Sequence, residues 1–146
     1  MFETRARTSF LFDLDGTLVD SVYQHVLSWR EALEAVGIEL SVWRIHRRIG
    51  MSGGLMANAI LRETGHQVTP EEAGRLLKFS ADAYARQAAQ IRPRPGAREL
   101  LSYLTRAEVS WTIATSARLG SARPTMEVLG VGQEGVRAEA RPAGTS

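Results

Sequence analysis

Residues Ser9 to Asp20 read SFLFDLDGTLVD. The run Ser9, Phe10, Leu11, Phe12 is apolar enough to be buried as a strand, and it stops at two carboxylates, Asp13 and Asp15, with Leu14 between them. Residues two apart on a strand face the same way. Asp13 and Asp15 are therefore expected to project together from the strand's carboxyl end, while Gly16 lets the backbone turn away. Open α/β sheets bind their ligands at that end. Neighbouring carboxylates repel unless a cation lies between them, and a hard, oxygen-only site suits magnesium. A carboxylate beside such a cation can attack a phosphoryl group, while the second passes a proton to and from the leaving oxygen. The expected roles are nucleophile for Asp13 and acid/base for Asp15. The competing reading is a plain polar turn, which Asp and Gly favour. The apolar lead-in, with Thr17 and Leu18 completing DLDGTL, weighs against it.

DLDGTLVDS resembles the first motif of the haloacid dehalogenase-like hydrolases, in the branch of phosphoglycolate phosphatases and β-phosphoglucomutases. The resemblance implies that the first Asp is the nucleophile and the second the acid/base, that both help to hold Mg2+, and that a helical cap is inserted soon after the motif. Carried over, those roles fall on Asp13 and Asp15.

Composition narrows the setting. The chain has 146 residues, enough for one ordinary domain or a small core with a small insertion, and 44% hydrophobic with 23% charged residues is the balance of a soluble globular protein. There is no Cys, so disulfides and thiolate metal sites are excluded. The start, MFETRARTS, lacks a signal-peptide core and no run reaches membrane-spanning length, so a cytoplasmic location is expected. The net charge is +2, and Lys78 is the one lysine among 18 basic residues. The arginines are scattered among acids, which reads as a solvated surface and not a nucleic-acid footprint.

From Ser21 to Gly37 the residues Val22, Val26, Trp29, Leu33 and Val36 recur at steps of four and three, the stripe of an amphipathic helix. His25 lies on or beside that stripe, where packing is its commoner use. The resemblance adds a substrate-facing role, since sugar-phosphate mutases of the branch carry a functional cap His at the matching distance. A second helix is expected over Val42 to Ile49 with Ser41 as N-cap, and a third from about Leu55 to Thr64 after the turn Met51-Ser52-Gly53-Gly54. The resemblance places a substrate-specificity loop at this turn. Arg48 and Ser52 are its candidate substrate contacts, Arg48 because its planar fork suits phosphate or carboxylate. Exposed arginines on an ordinary helix-loop-helix are the alternative. Thr69-Pro70-Glu71-Glu72 reads as a capping box with Pro at the first helical position, and the period then runs on toward Ala88.

Arg92-Pro93-Arg94-Pro95-Gly96 is a stiff elbow returning the chain to the core. Ala97 to Arg106 is an amphipathic helix, and Val109 to Ala114 alternates with β-branched and aromatic residues, a second strand. A right-handed crossover lays it parallel to the first, so Thr115 and Ser116 arrive beside Asp13. There a hydroxyl and the following turn's N–H groups can hold phosphate oxygens. In the family a Thr or Ser at this strand's end is the second motif, which makes Thr115 and Ser116 the phosphate-binding pair. Ser121 to Leu129 forms a last helix, with Pro124 in its first turn and Gly130 past its end.

The family pattern then breaks. Its third motif supplies a lysine and its fourth further acidic residues, yet Lys78 stands far upstream and no Asp follows Asp82. Arg141-Pro142 is a poor substitute for Lys-Pro, and Glu134 or Glu139 for the metal-binding Asp. A truncated chain, as after a frameshift, is the simpler expectation. The tail after Val131 has no apolar period and is expected to be disordered.

The expected fold is α/β, a partial Rossmann-like parallel-sheet core (1–20 and 91–131) with an inserted α-helical cap (21–90) and a tail (132–146). The expected activity is magnesium-dependent hydrolysis of a small phosphorylated metabolite through an aspartyl-phosphate at Asp13, with no nucleic acid or membrane partner. The alternative is an incomplete remnant that at most binds phosphate or a partner. A phosphomutase sharing the cap is a lesser option. A haloalkanoic acid dehalogenase is disfavoured, because that chemistry usually dispenses with the second Asp of the motif and Asp15 is present.

Overall fold

The computed structural model of the chain describes residues 8–131; the expected disordered tail, with Glu134, Glu139, Arg141 and Pro142, lies outside the described residues. The quoted stretch forms β1 (Ser9–Asp13), and a two-residue strand β2 (Val19–Asp20) follows. Four helices come next: α1 (Val22–Ala35), α2 (Val42–His46), α3 (Gly53–Glu63) and α4 (Pro70–Gln87). The chain returns through β3 (Arg92–Pro93), α5 (Ala97–Arg106), β4 (Ser110–Ala114) and α6 (Leu119–Val128).

β1 and β4 pair in parallel, with Ser9 opposite Ser110 and Asp13 opposite Ala114. A parallel pair needs a crossover, and here it contains all of α1 to α5. Where the chain leaves the sheet and where it comes back, the two passages are tied together. Val19 pairs with Pro93 and Asp20 with Arg92 in an antiparallel ribbon, and the Arg94 N–H donates to the Leu18 carbonyl at 2.8 Å. Pro93 is tolerated because a two-residue ribbon makes few demands on its missing N–H.

Apolar burial is divided between two clusters. One gathers Leu14, Leu18, Val19, Ile91, Leu101, Ile113, Met126 and Leu129 around the sheet, and Tyr84 of α4 joins it. The other gathers Val26, Trp29, Leu33, Ile45, Met56, Ile60, Leu61 and Leu76 from α1 to α4. The 3.6-residue period explains the second cluster: each helix turns one stripe inward and the stripes meet.

Boundaries moved where local chemistry overrides periodicity. α2 ends at His46 rather than Ile49, because the chain turns at Gly50 (φ +105°), where Ile49 and Met51 bridge. The Thr69 hydroxyl accepts the Glu72 N–H at 3.2 Å, as a cap should, but the Glu72 carboxylate takes Arg75 at 3.2 Å. α6 begins two residues earlier than expected, so Pro124 sits inside it and the Gly120 carbonyl loses its helical donor.

Candidate active site

β1 stops at Asp13, and the next five residues form a tight loop before β2. The Leu14 carbonyl accepts the N–H groups of Thr17, Leu18 and Val19 at 3.0–3.3 Å, and the Gly16 N–H donates to the Val19 carbonyl at 2.9 Å. Gly16 holds φ +76°, and a Cβ there would meet Val22 Cγ2 at 3.0 Å, so both backbone and space require glycine. Leu14 is fully buried and anchors the loop in the sheet cluster.

The two carboxylates have different surroundings. Asp13 is exposed, and its Oδ1 accepts the Leu14 N–H at 2.8 Å. Asp15 is half-buried, and its Oδ1 accepts the Ser21 hydroxyl at 2.6 Å and meets His25 Nε2 at 3.1 Å. Asp15 lies beyond β1, in the loop, so strand alternation does not reach it, and its bonds go to Ser21 and His25. Burial raises the Asp15 pKa; the hydrogen bond and charge of His25 and the Ser21 hydroxyl outweigh it and hold the carboxyl below its ordinary value.

Thr115 follows the last residue of β4, and the register puts it one step beyond the Asp13–Ala114 pair, at the same sheet end. It is buried, and its Oγ1 accepts the Ala117 N–H at 3.1 Å, a bond that leaves its own O–H proton as a donor. Ser116 is exposed in the turn that follows. Asp13, Asp15, His25, Thr115 and Ser116 thus come from β1, its loop, α1 and the end of β4.

Arg48 and Ser52 make their bonds within the helical part. The Arg48 guanidinium donates to the Arg44 carbonyl at 2.6 Å and pairs with Glu63, which also takes Arg44. Ser52 is the N-cap residue of α3, without a side-chain cap bond. Lys78 pairs with Asp82 on α4 at 2.7 Å.

Three residues at the site escaped the sequence reading. Ser21 closes the motif DLDGTLVDS and begins the first helical segment, and neither position gives it a partner in advance. Tyr84 stacks on His25, with ring centroids 4.2 Å apart and 15° between planes, and its hydroxyl shares a 3.0 Å hydrogen bond with Thr125. Tyr84 carried a helical-period signal and Thr125 none. Burial pushes the Tyr84 phenol up to about 12; the nearby Asp15 charge adds to this, while the Thr125 and Ser21 hydroxyls oppose it.

Among the described residues no three His, Asp or Glu side chains converge. Two carboxylates at one strand end still match the usual protein share of a magnesium site, which waters and substrate phosphate oxygens complete. Asp13 and Asp15 therefore fit as a partial set.

A parallel β1–β4 pair with an acidic loop at its carboxyl end offers the sheet end at which open α/β folds bind their ligands. The family model of the haloacid dehalogenase-like hydrolases matches residues 8–144, and the chain belongs to this family. It is 32% identical over 126 residues to hexitol phosphatase A of Escherichia coli (strain K12), covering 84% of this chain and 54% of that protein. It is similar to the crystal structure of a hydrolase from Pseudomonas syringae, with TM-score 0.84 and 49% identity over 90% of this chain and 60% of that one. A β-phosphoglucomutase from Clostridium difficile shares the fold, with TM-score 0.73, 23% identity and the same two coverages, 90% and 60%. The chain thus spans a little over half the length of these proteins. Among the described residues no helix is long and apolar enough to cross a membrane.

Proposed function

We propose that the chain is a magnesium-dependent phosphohydrolase acting on a small phosphorylated metabolite in the cytoplasm, through an aspartyl-phosphate at Asp13. The observation that carries this reading is the parallel register of β1 and β4, which brings Asp13, Asp15 and Thr115 to one sheet end. In this reading residues 21–90 act as a helical cap over a core of 1–20 and 91–131; the two separate apolar clusters support that division.

Asp13, exposed at the strand tip, attacks phosphorus through a carboxylate oxygen. The new Asp13 O–P bond forms as the substrate's ester P–O bond breaks, and Asp15 in its acid form gives its proton to the departing oxygen. Asp15, now a carboxylate, takes a proton from a water that attacks phosphorus, the Asp13 O–P bond breaks and inorganic phosphate leaves. The Thr115 O–H and the N–H groups of the turn at Ser116 hold the phosphoryl oxygens. Asp13 and Asp15 would hold Mg2+, which when bound supplies positive charge against those oxygens. His25 and Ser21 favour the carboxylate form of Asp15, the form that activates water.

A second reading has its own support: a chain that binds phosphate without turnover. Its one lysine is committed to Asp82 on α4, so the sheet end has no ammonium to neutralise the transferring group.

The test is magnesium-dependent phosphate release from p-nitrophenyl phosphate by the purified chain. Release that falls by about 10³-fold or more in Asp13→Asn supports the first reading. No release above the Asp13→Asn background, with inorganic phosphate still bound in calorimetry, overturns it for the second.

A further inference from the structure

We propose that Tyr84 is a positioning residue: one phenol joins α4 to α6 and seats His25 against Asp15, so the acid/base group is aimed from the far end of the helical part. The proposal rests on the acid/base role given to Asp15 above. α4 serves both apolar clusters. Leu76 packs in the helical cluster, whereas Tyr84, two turns and about 12 Å further along the helix axis, packs in the sheet cluster.

The Tyr84 ring stacks on His25 of α1 at 4.2 Å, and its hydroxyl pairs with Thr125 Oγ1 of α6 at 3.0 Å. Thr125 is 1% exposed and Tyr84 6% exposed, so these hydroxyls depend on protein partners: each other, and for Tyr84 the Ser21 hydroxyl as well. The stacked face fixes the plane of the imidazole, and that plane carries Nε2 to 3.1 Å from Asp15 Oδ1. A phenylalanine would fill the same space. It would leave Thr125 without its partner and the ring free to slide, so the hydroxyl ties α4 down while the ring aims His25.

The experiment reads the C–H resonances of the His25 imidazole by NMR on the full chain, assigned with His25→Gln, together with turnover of p-nitrophenyl phosphate. Tyr84→Leu should abolish the ring-current displacement of the His25 signals. Tyr84→Phe and Thr125→Val should each shift or broaden those signals and lower kcat about tenfold, with KM held within about twofold. The double variant should be no worse than Tyr84→Phe alone, because that change already deletes the bond to Thr125. Thr125→Ser, which keeps the hydroxyl, should restore the wild-type spectrum and rate.

His25 signals unmoved by Tyr84→Phe and Thr125→Val, or losses that multiply in the double variant, would overturn the proposal. If Tyr84→Leu fails to fold, the Phe and Ser variants still decide. A wild-type chain without turnover would sink the phosphatase reading alone, since the His25 spectrum judges the joint by itself.

Discussion

The helical part and the sheet part enclose their apolar residues to different degrees. In the helical part Val26, Ile45, Ile60 and Leu76 are fully buried, and four helices close around them. In the sheet part the strand that carries the nucleophile candidate is poorly covered: Leu11 is 70% exposed and Phe10 43%. Among the described residues the sheet has two strands, so β1 pairs only with β4. Parallel strands are ordinarily buried on both faces. One part thus draws its stability from a closed interior, while the other holds the candidate chemistry on a thin support fixed by the loop bonds of Leu14 and the β2–β3 ribbon.

The largest effects come from deleting the same atoms in each part. Ile60 and Ile113 are both fully buried. Ile→Ala at either removes three carbons and costs about 2–5 kcal/mol, depending on how far the site can collapse. Ile60→Ala should lie at the upper end, because helices on every side hold its cavity open. Ile113→Ala should lie at the lower end, because an open neighbouring face lets β1 and β4 close in. Denaturant titration gives the two costs, and the reverse order would break the comparison. Hydrogen exchange sharpens it: amides of α1 and α4 should keep their protection in Ile113→Ala while those of β1 lose theirs.

Tyr84 belongs to both parts and gives the next largest effect. Its folded-state pKa of about 12 exceeds the ordinary 10.0. The unfolded chain therefore gives up the phenol proton first. The buried neutral phenol contributes fully below pH 10, and that contribution is lost as pH rises toward 12. The loss amounts to about 2–3 kcal/mol. Wild type should lose that much more stability than Tyr84→Phe over the interval, read from paired denaturant titrations at each pH. A parallel fall in both proteins would mean that the phenol is as well solvated in the folded chain as in the unfolded one.

What could be read in advance follows the range of the forces involved. SFLFD and SWTIA announce strands, and Thr69-Pro70 announces the start of α4, because burial pattern and capping are local properties. Thr115 could be placed beside Asp13 because a single parallel crossover leaves few alternatives. The β2–β3 ribbon was not legible: two residues per strand, one of them Pro93, carry no pattern, and only closure of the chain pairs them. The bonds of Asp15 were missed for a related reason. Alternation predicts a direction while the strand lasts, and β1 ends at Asp13. Arg48 could be seen as a ligand for an anion, but nothing local says that Glu63, fifteen residues on, already takes it. Tyr84 and Thr125 lie 41 residues apart, and helical period reveals that such residues are buried without revealing against what.

The smallest stability effect separates the two parts most sharply. Leu11→Lys puts a charge on a residue that is mostly in water, so stability should change by no more than about 0.5 kcal/mol. Its consequence should appear between molecules. An apolar strand with an unpaired edge is a template for pairing with another chain, and a lysine on it is the common natural guard. Light scattering or sedimentation of concentrated samples should show wild-type chains associating more than Leu11→Lys, with Ile60→Ala giving no such relief. A loss well above 1 kcal/mol in Leu11→Lys would mean that something covers Leu11 in solution. The sheet would then be as closed as the helical part, and the contrast drawn between them would fail.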